Sequence, residues 1–76
     1  MKAILWSKYH CPYCDQAKML LKQQGYQIEE RKIGDGYTKE ELLEAVPTAR
    51  TVPQIFLDEE YIGGFTELKQ HFSKAA

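Results

Sequence analysis

The only two cysteines in the chain stand three residues apart, as Cys11-Pro12-Tyr13-Cys14. A Cys-x-x-Cys placed where a strand runs into a helix brings both sulfurs within bonding reach on the first helical turn. There the unpaired backbone N–H groups and the positive end of the helix dipole favour a thiolate. Pro12 suits the first helical position, because its missing N–H costs nothing there and its φ is already helical. Cys11 is then the exposed capping residue and Cys14 the more buried partner one turn on. The chemistry that follows is reversible thiol–disulfide exchange. Zinc wants four ligands, and beyond the cysteines only His10 and His71 could contribute, His71 from a distant segment. His10, beside Cys11, supports its thiolate when protonated.

The elements that must hold this pair can be read along the chain. Residues 2–7 form a short buried strand whose Trp6 belongs to the core, ended by Ser7-Lys8. Residues 12–24 carry Ala17, Leu20, Leu21 and Gln24 at helical spacing, with Lys18 and Lys22 facing solvent. Gly25 stands where a left-handed cap is wanted. Residues 27–33 read as an edge strand whose Glu29-Glu30-Arg31-Lys32 run is a solvated edge that resists pairing with other chains. Gly34-Asp35-Gly36 is a turn. Thr38 and Glu41 have the spacing of a capping box and open a helix with Leu42, Leu43 and Val46, ended by Pro47. Residues 54–57, an acidic turn at Asp58-Glu59-Glu60, and Tyr61-Ile62 make a β-hairpin. Gly63-Gly64 breaks its second strand, and Thr66 caps a last helix with Leu68 and Phe72 on one face.

The order β-α-β-α-β-β-α implies an α/β fold, a four-stranded mixed sheet with helices on both faces. At 76 residues the chain is expected to be one domain, 1–76. Hydrophobic residues are 43% and charged residues 28%, which excludes a disordered composition. A net charge of −1 with interspersed signs argues against nucleic acid or an anionic membrane as partner. No apolar run approaches a membrane span or a signal-peptide core. The expected setting is cytoplasmic, where a lone cysteine pair is more often catalytic than structural.

Cys11-Pro12-Tyr13-Cys14, then Thr51-Val52-Pro53, then Gly63-Gly64 ahead of a helix, resembles a dithiol glutaredoxin of the thioredoxin-fold superfamily. The resemblance covers nearly the whole chain. It implies a cis Val52–Pro53 bond with the Val52 backbone beside Cys11, ready to bond the backbone of glutathione. It assigns Lys8 and Arg50 to the glycine carboxylate of that tripeptide and Tyr13 to the groove wall. It counts Thr51, Val52 and Pro53 among the glutathione-binding residues. The backbone N–H groups of Gly64, Phe65 and Thr66 are assigned to the γ-glutamyl carboxylate, an anion at a helix start. Glu67 stands where the family often has an Asp facing the ligand's ammonium.

The resemblance thus implies a glutathione-linked oxidoreductase, with Cys11 and Cys14 catalytic and no metal. Glutathione is a co-substrate and no cofactor is bound permanently. Its expected partners are disulfide-containing or glutathionylated proteins, ribonucleotide reductase for instance, and the chain acts as a monomer. Two departures from the family pattern, Thr48-Ala49 ahead of Arg50 and Glu67 for Asp, leave a rival: a glutaredoxin-like electron donor recycled by thioredoxin reductase. An iron–sulfur carrier holding a cluster through Cys11 is disfavoured by the bulk of Pro12 and Tyr13. A non-catalytic peptide-binding module is the remaining alternative.

Overall fold

Alternation along the first strand divides the protein into two cores. In the computed structural model, which describes residues 1–74, β1 (Lys2–Lys8) sits between β2 (Gln27–Ile33), parallel to it, and β3 (Gln54–Leu57), antiparallel. β4 (Glu60–Gly63) completes the sheet in the order β2-β1-β3-β4. Successive side chains of a strand point to opposite faces. Ala3 and Leu5 pack with Ile55, Leu57, Ala17, Leu21 and Leu68, whereas Trp6 packs with Leu42 and Val46 and is flanked by Ile4 and Phe56. The helices α1 (Pro12–Gln23) and α3 (Phe65–Lys74) therefore cover one face and α2 (Lys39–Ala45) the other. This is the thioredoxin-like mixed sheet with helices on both faces. Each fully buried aliphatic chain contributes roughly 1.5–3 kcal/mol. The final residues 75–76 of the expected unit lie outside the described residues.

The helix ends follow local chemistry. At the end of α1, the Gly25 N–H donates to the Lys22 carbonyl and the Tyr26 N–H to the Leu21 carbonyl, both at 3.1 Å. That paired closure requires the left-handed φ of +84° that Gly25 supplies. At the start of α2 the Thr38 hydroxyl accepts from the Glu41 N–H and the Glu41 carboxylate accepts from the Thr38 N–H, a complete capping box.

Four expectations need correction. The hairpin turn is two residues, Asp58-Glu59, both with positive φ, and Glu60 already pairs with Leu57. A two-residue turn of that hand matches the twist of the flanking strands. Gly63 is the last residue of β4, paired with Ile55 after a register shift, so the strand ends one residue later than expected. Thr66 does not cap α3, because the helix begins at Phe65 and the Leu68 N–H closes its first turn on the Gly64 carbonyl. Gln24 is exposed at the end of α1 and adds nothing to its buried face.

The charged run on β2 is likewise more organised than a solvated edge. Lys18 reaches from α1 to Glu30 at 2.7 Å, and the Ser7 hydroxyl donates to the same carboxylate at 2.7 Å. On the other face Glu29 meets Lys2 and Arg31, while the Arg31 guanidinium lies over Trp6 and Tyr37. Burial pushes the Glu30 carboxyl up, but the Lys18 and Ser7 contacts outweigh it and hold it below its ordinary 4.5. A carboxylate held down in the fold adds stability above its unfolded pKa and loses it as pH falls through the folded one. Glu30→Gln is therefore expected to be less stable than the parent at pH 7. The gap should close below about pH 4.5, as urea unfolding across a pH series would show; a gap independent of pH would contradict the assignment.

Candidate active site

The β1–α1 junction sets the position of the sulfurs. Cys11 is the N-cap of α1, with extended backbone (φ −120°, ψ 95°), and Pro12 is the first helical residue. The Cys14 N–H donates to the Cys11 sulfur at 3.2 Å, and the Asp15 N–H closes the first turn on the Cys11 carbonyl at 3.2 Å. The sulfur thus takes the place that a serine or aspartate oxygen fills at an ordinary helix start. His10 precedes it in the left-handed region, φ 56°, and is exposed. The protein is in its oxidised form, with Cys11 and Cys14 joined and their Cα atoms 5.2 Å apart. The expectation that Cys11 is exposed needs correction: joined to Cys14 and facing the Val52 carbonyl it is buried, 8% exposed, and only slightly more open than Cys14 at 2%. Among the described residues no group of three or more His, Cys, Asp or Glu comes together in a way that could hold a metal.

Facing the pair is the loop that enters β3. The Val52–Pro53 bond is cis, as expected, and the Val52 carbonyl oxygen lies 3.9 Å from the Cys11 sulfur. Tyr13, Thr51, Val52, Pro53, Gly64, Phe65, Thr66 and Glu67 line one depression beside this contact. The Tyr13 ring packs on Phe65 with centroids 6.0 Å apart, so it forms a wall and does not enter the core. Lys8 and Arg50 lie instead in a second cleft on the other side of the loop, which shares Thr51 and Val52 with the first. The ten residues expected to bind glutathione line one or the other of these two clefts, which share Thr51 and Val52.

The Glu67 carboxylate accepts the Gly64 N–H at 2.8 Å, half of a capping box at the head of α3. Its side chain lies over Gly63 and Gly64, where an added Cβ on Gly63 would come within 2.9 Å of the Glu67 Cγ. That contact explains the glycine pair. It also means that, of the three backbone donors expected to face an anion, Gly64 already has a partner, whereas Phe65 and Thr66 are free of intrahelical bonds by their position in the first turn.

Two residues of the site were not anticipated. The Gln54 side-chain amide, on a residue only 7% exposed, donates to the Thr51 carbonyl at 2.8 Å. The Tyr61 hydroxyl donates in turn to the Gln54 side-chain oxygen at 2.5 Å. Burial first, and the negative charge of Glu67 second, push the Tyr61 phenol above its usual value of 10.0, so it remains a donor at neutral pH. The chain Tyr61–Gln54–Thr51 pins the loop that holds Val52 against Cys11. The signal was a glutamine immediately after Pro53 at the head of an otherwise apolar strand, a polar group that burial obliges to find partners.

Comparison with known proteins places this geometry. The glutaredoxin family model matches residues 3–62. Glutaredoxin 3 of Escherichia coli K12 is 39% identical over 64 residues, covering 84% of this chain and 77% of that protein. Glutaredoxin 1 from Francisella tularensis, solved with cacodylate, superposes with a TM-score of 0.81 at 33% identity, covering 97% of this chain and 94% of that one. A buckwheat glutaredoxin–glutathione complex superposes with a TM-score of 0.82 at 25% identity over 96% of this chain and 69% of that one.

Tyr61→Phe keeps the ring that packs on Phe56 but strands the buried Gln54 oxygen. Its expected cost is about 1–3 kcal/mol in urea unfolding at pH 7. An unchanged unfolding midpoint would mean that the chain does not restrain the loop.

Proposed function

Because this chain belongs to the glutaredoxin family of thiol oxidoreductases, we propose that it reduces protein disulfides and glutathione mixed disulfides at the expense of glutathione, as a monomer in a reducing, cytoplasmic setting. The observation that carries this reading is the Val52 backbone held against the Cys11 sulfur between two clefts that each offer positive charge to an anion. One contains the start of a helix and the other three cations, Lys8, Lys39 and Arg50. A tripeptide with a carboxylate at each end matches that division: Lys8 and Arg50 take the glycine carboxylate, and the N–H groups of Phe65 and Thr66 take the γ-glutamyl carboxylate. The buckwheat relative crystallised with glutathione supports the same reading.

The steps balance with no other cofactor. In the reduced protein the Cys11 thiolate attacks one sulfur of a substrate disulfide, forming a mixed disulfide and expelling the other sulfur as a thiolate that takes up a proton. Cys14 loses its proton and attacks Cys11, releasing the substrate's second thiol and leaving Cys11–Cys14 oxidised. One glutathione thiolate then opens that bond to give a Cys11–glutathione adduct. A second glutathione attacks the glutathione sulfur, restores the dithiol and leaves as glutathione disulfide. On a glutathionylated substrate Cys11 alone suffices, since the adduct is itself the intermediate.

The Glu67–Gly64 bond favours a second reading. A carboxylate already seated at the head of α3 competes with the γ-glutamyl group, which suits an electron donor recycled by thioredoxin reductase. Turnover of a glutathionylated peptide with glutathione, NADPH and glutathione reductase, run beside NADPH and thioredoxin reductase without glutathione, separates the two. Our reading expects glutathione-supported turnover that Cys14→Ser retains and Cys11→Ser abolishes. Turnover with thioredoxin reductase alone would overturn it. Lys8→Ala should raise KM for glutathione several-fold, the worth of one charged hydrogen bond of about 1 kcal/mol or slightly more in a half-solvated groove. An unaltered KM would remove Lys8 from the site.

A further inference from the structure

The cleft beyond Val52 is larger, more apolar and more cationic than the glycine end of glutathione requires. It measures ≈ 220 Å³ and is lined by Lys8, Lys39 and Arg50 around Ile33, Leu42, Leu43 and Ala49. Glycine brings one carboxylate and no side chain, so it leaves the apolar floor bare and at least one cation without a partner. Of the cations on or against β2, Lys2, Lys18 and Arg31 each meet a glutamate of that strand, and Lys32 lies over the Tyr9 ring. Lys8, Lys39 and Arg50 make no ion pair among the described residues, although the chain as a whole carries a net −1. Three unpaired cations around an apolar floor, next to the reactive sulfur, form a site that selects for sign as well as for shape.

We infer that this cleft is a specificity subsite for polypeptide substrates, taking an aliphatic side chain on its floor and an adjacent acidic residue at its rim, with Lys39 the cation that distinguishes such a segment from glutathione. The inference rests on the oxidoreductase reading of Cys11 but not on the identity of the reductant. Lys39 is the first residue of α2, just inside the Thr38–Glu41 capping box, and is exposed. A bound segment crossing Val52 would set the residues flanking its disulfide against Leu42 and Leu43, within reach of that ammonium. Burial of the aliphatic group supplies affinity, and the charge raises the encounter rate in a salt-dependent way.

The test uses the pre-reduced, full-length protein in single turnover without glutathione, so that its result is independent of which reductant serves the cell. Each turnover converts one peptide disulfide to two thiols and the Cys11–Cys14 dithiol to a disulfide, quenched with acid and counted by mass spectrometry. The probes are three peptides with one internal disulfide flanked on both sides by Leu-Glu, Leu-Gln or Leu-Lys, and a fourth flanked by Gly-Glu. The Leu-Glu peptide is expected to react about tenfold faster than Leu-Lys at low ionic strength, a ratio that shrinks as salt is added. The Gly-Glu peptide should fall several-fold behind Leu-Glu. Lys39→Glu should collapse or invert the acidic preference, Lys39→Gln should lie between, and Lys39→Arg should restore it. An acidic residue is welcome in the first turn of a helix, so Lys39→Glu does not threaten the fold. Equal rates for the acidic and basic peptides, or a preference that Lys39→Glu leaves unchanged, overturn the inference. If neither peptide is reduced while Cys11 is fully thiol, the oxidoreductase reading fails first.

Discussion

The capping of α1 by a sulfur is the interaction on which the rest of the site depends. Cys11 follows the turn that leaves β1, and its side chain receives the Cys14 N–H that would otherwise lack a partner. A helix start is a place where negative charge is stabilised, so the group best suited to occupy it after reduction is a thiolate. The same geometry sets Cys14 one turn inside and nearly out of solvent. Burial of that kind disfavours ionisation, as does a charged neighbour of like sign. Two chemically identical side chains thereby acquire different environments from position alone.

Everything else keeps that cap in place and presents something to it. Packing of Ala3 and Leu5 against Ala17, Leu21 and Leu68 seats α1 and α3 on one face of the sheet, and Trp6 with Leu42 and Val46 seats α2 on the other. β1 and β3 are neighbours, so the loop entering β3 arrives beside the end of β1 and Val52 meets Cys11. The Tyr61–Gln54–Thr51 chain restrains that loop from the hairpin side. Glu67, folded back over Gly63 and Gly64, defines the far wall. The site is thus built from four separate segments, each anchored in one of the two cores.

Most of the architecture could be read from residue order because the signals were local. Cys11-Pro12, Gly25 and the Thr38–Glu41 box each encode a backbone geometry within a few residues. The unbroken apolar run Ala3-Ile4-Leu5-Trp6 announced a buried strand. The misreadings arose where a side-chain contact decided the outcome. Thr66 looked like a cap, yet the Glu67 carboxylate reached back to Gly64 and set the helix start two residues earlier. Lys18 looked solvated, yet β2 presents Glu30 directly to α1. Gln54 and Tyr61, seven residues apart, become partners only after the hairpin closes. The grouping of Lys39 with Lys8 and Arg50 depends on where α2 packs, which residue spacing does not encode.

The central claim is that position at the helix start, not residue type, makes Cys11 the nucleophile. Brief iodoacetamide labelling of the fully reduced protein across a pH series, with the labelled sulfur located by mass spectrometry, addresses it directly. The account predicts rapid labelling of Cys11 at pH 6 while Cys14 stays protected until the fold is opened. Equal labelling of the two at that pH, or preferential labelling of Cys14, would contradict it.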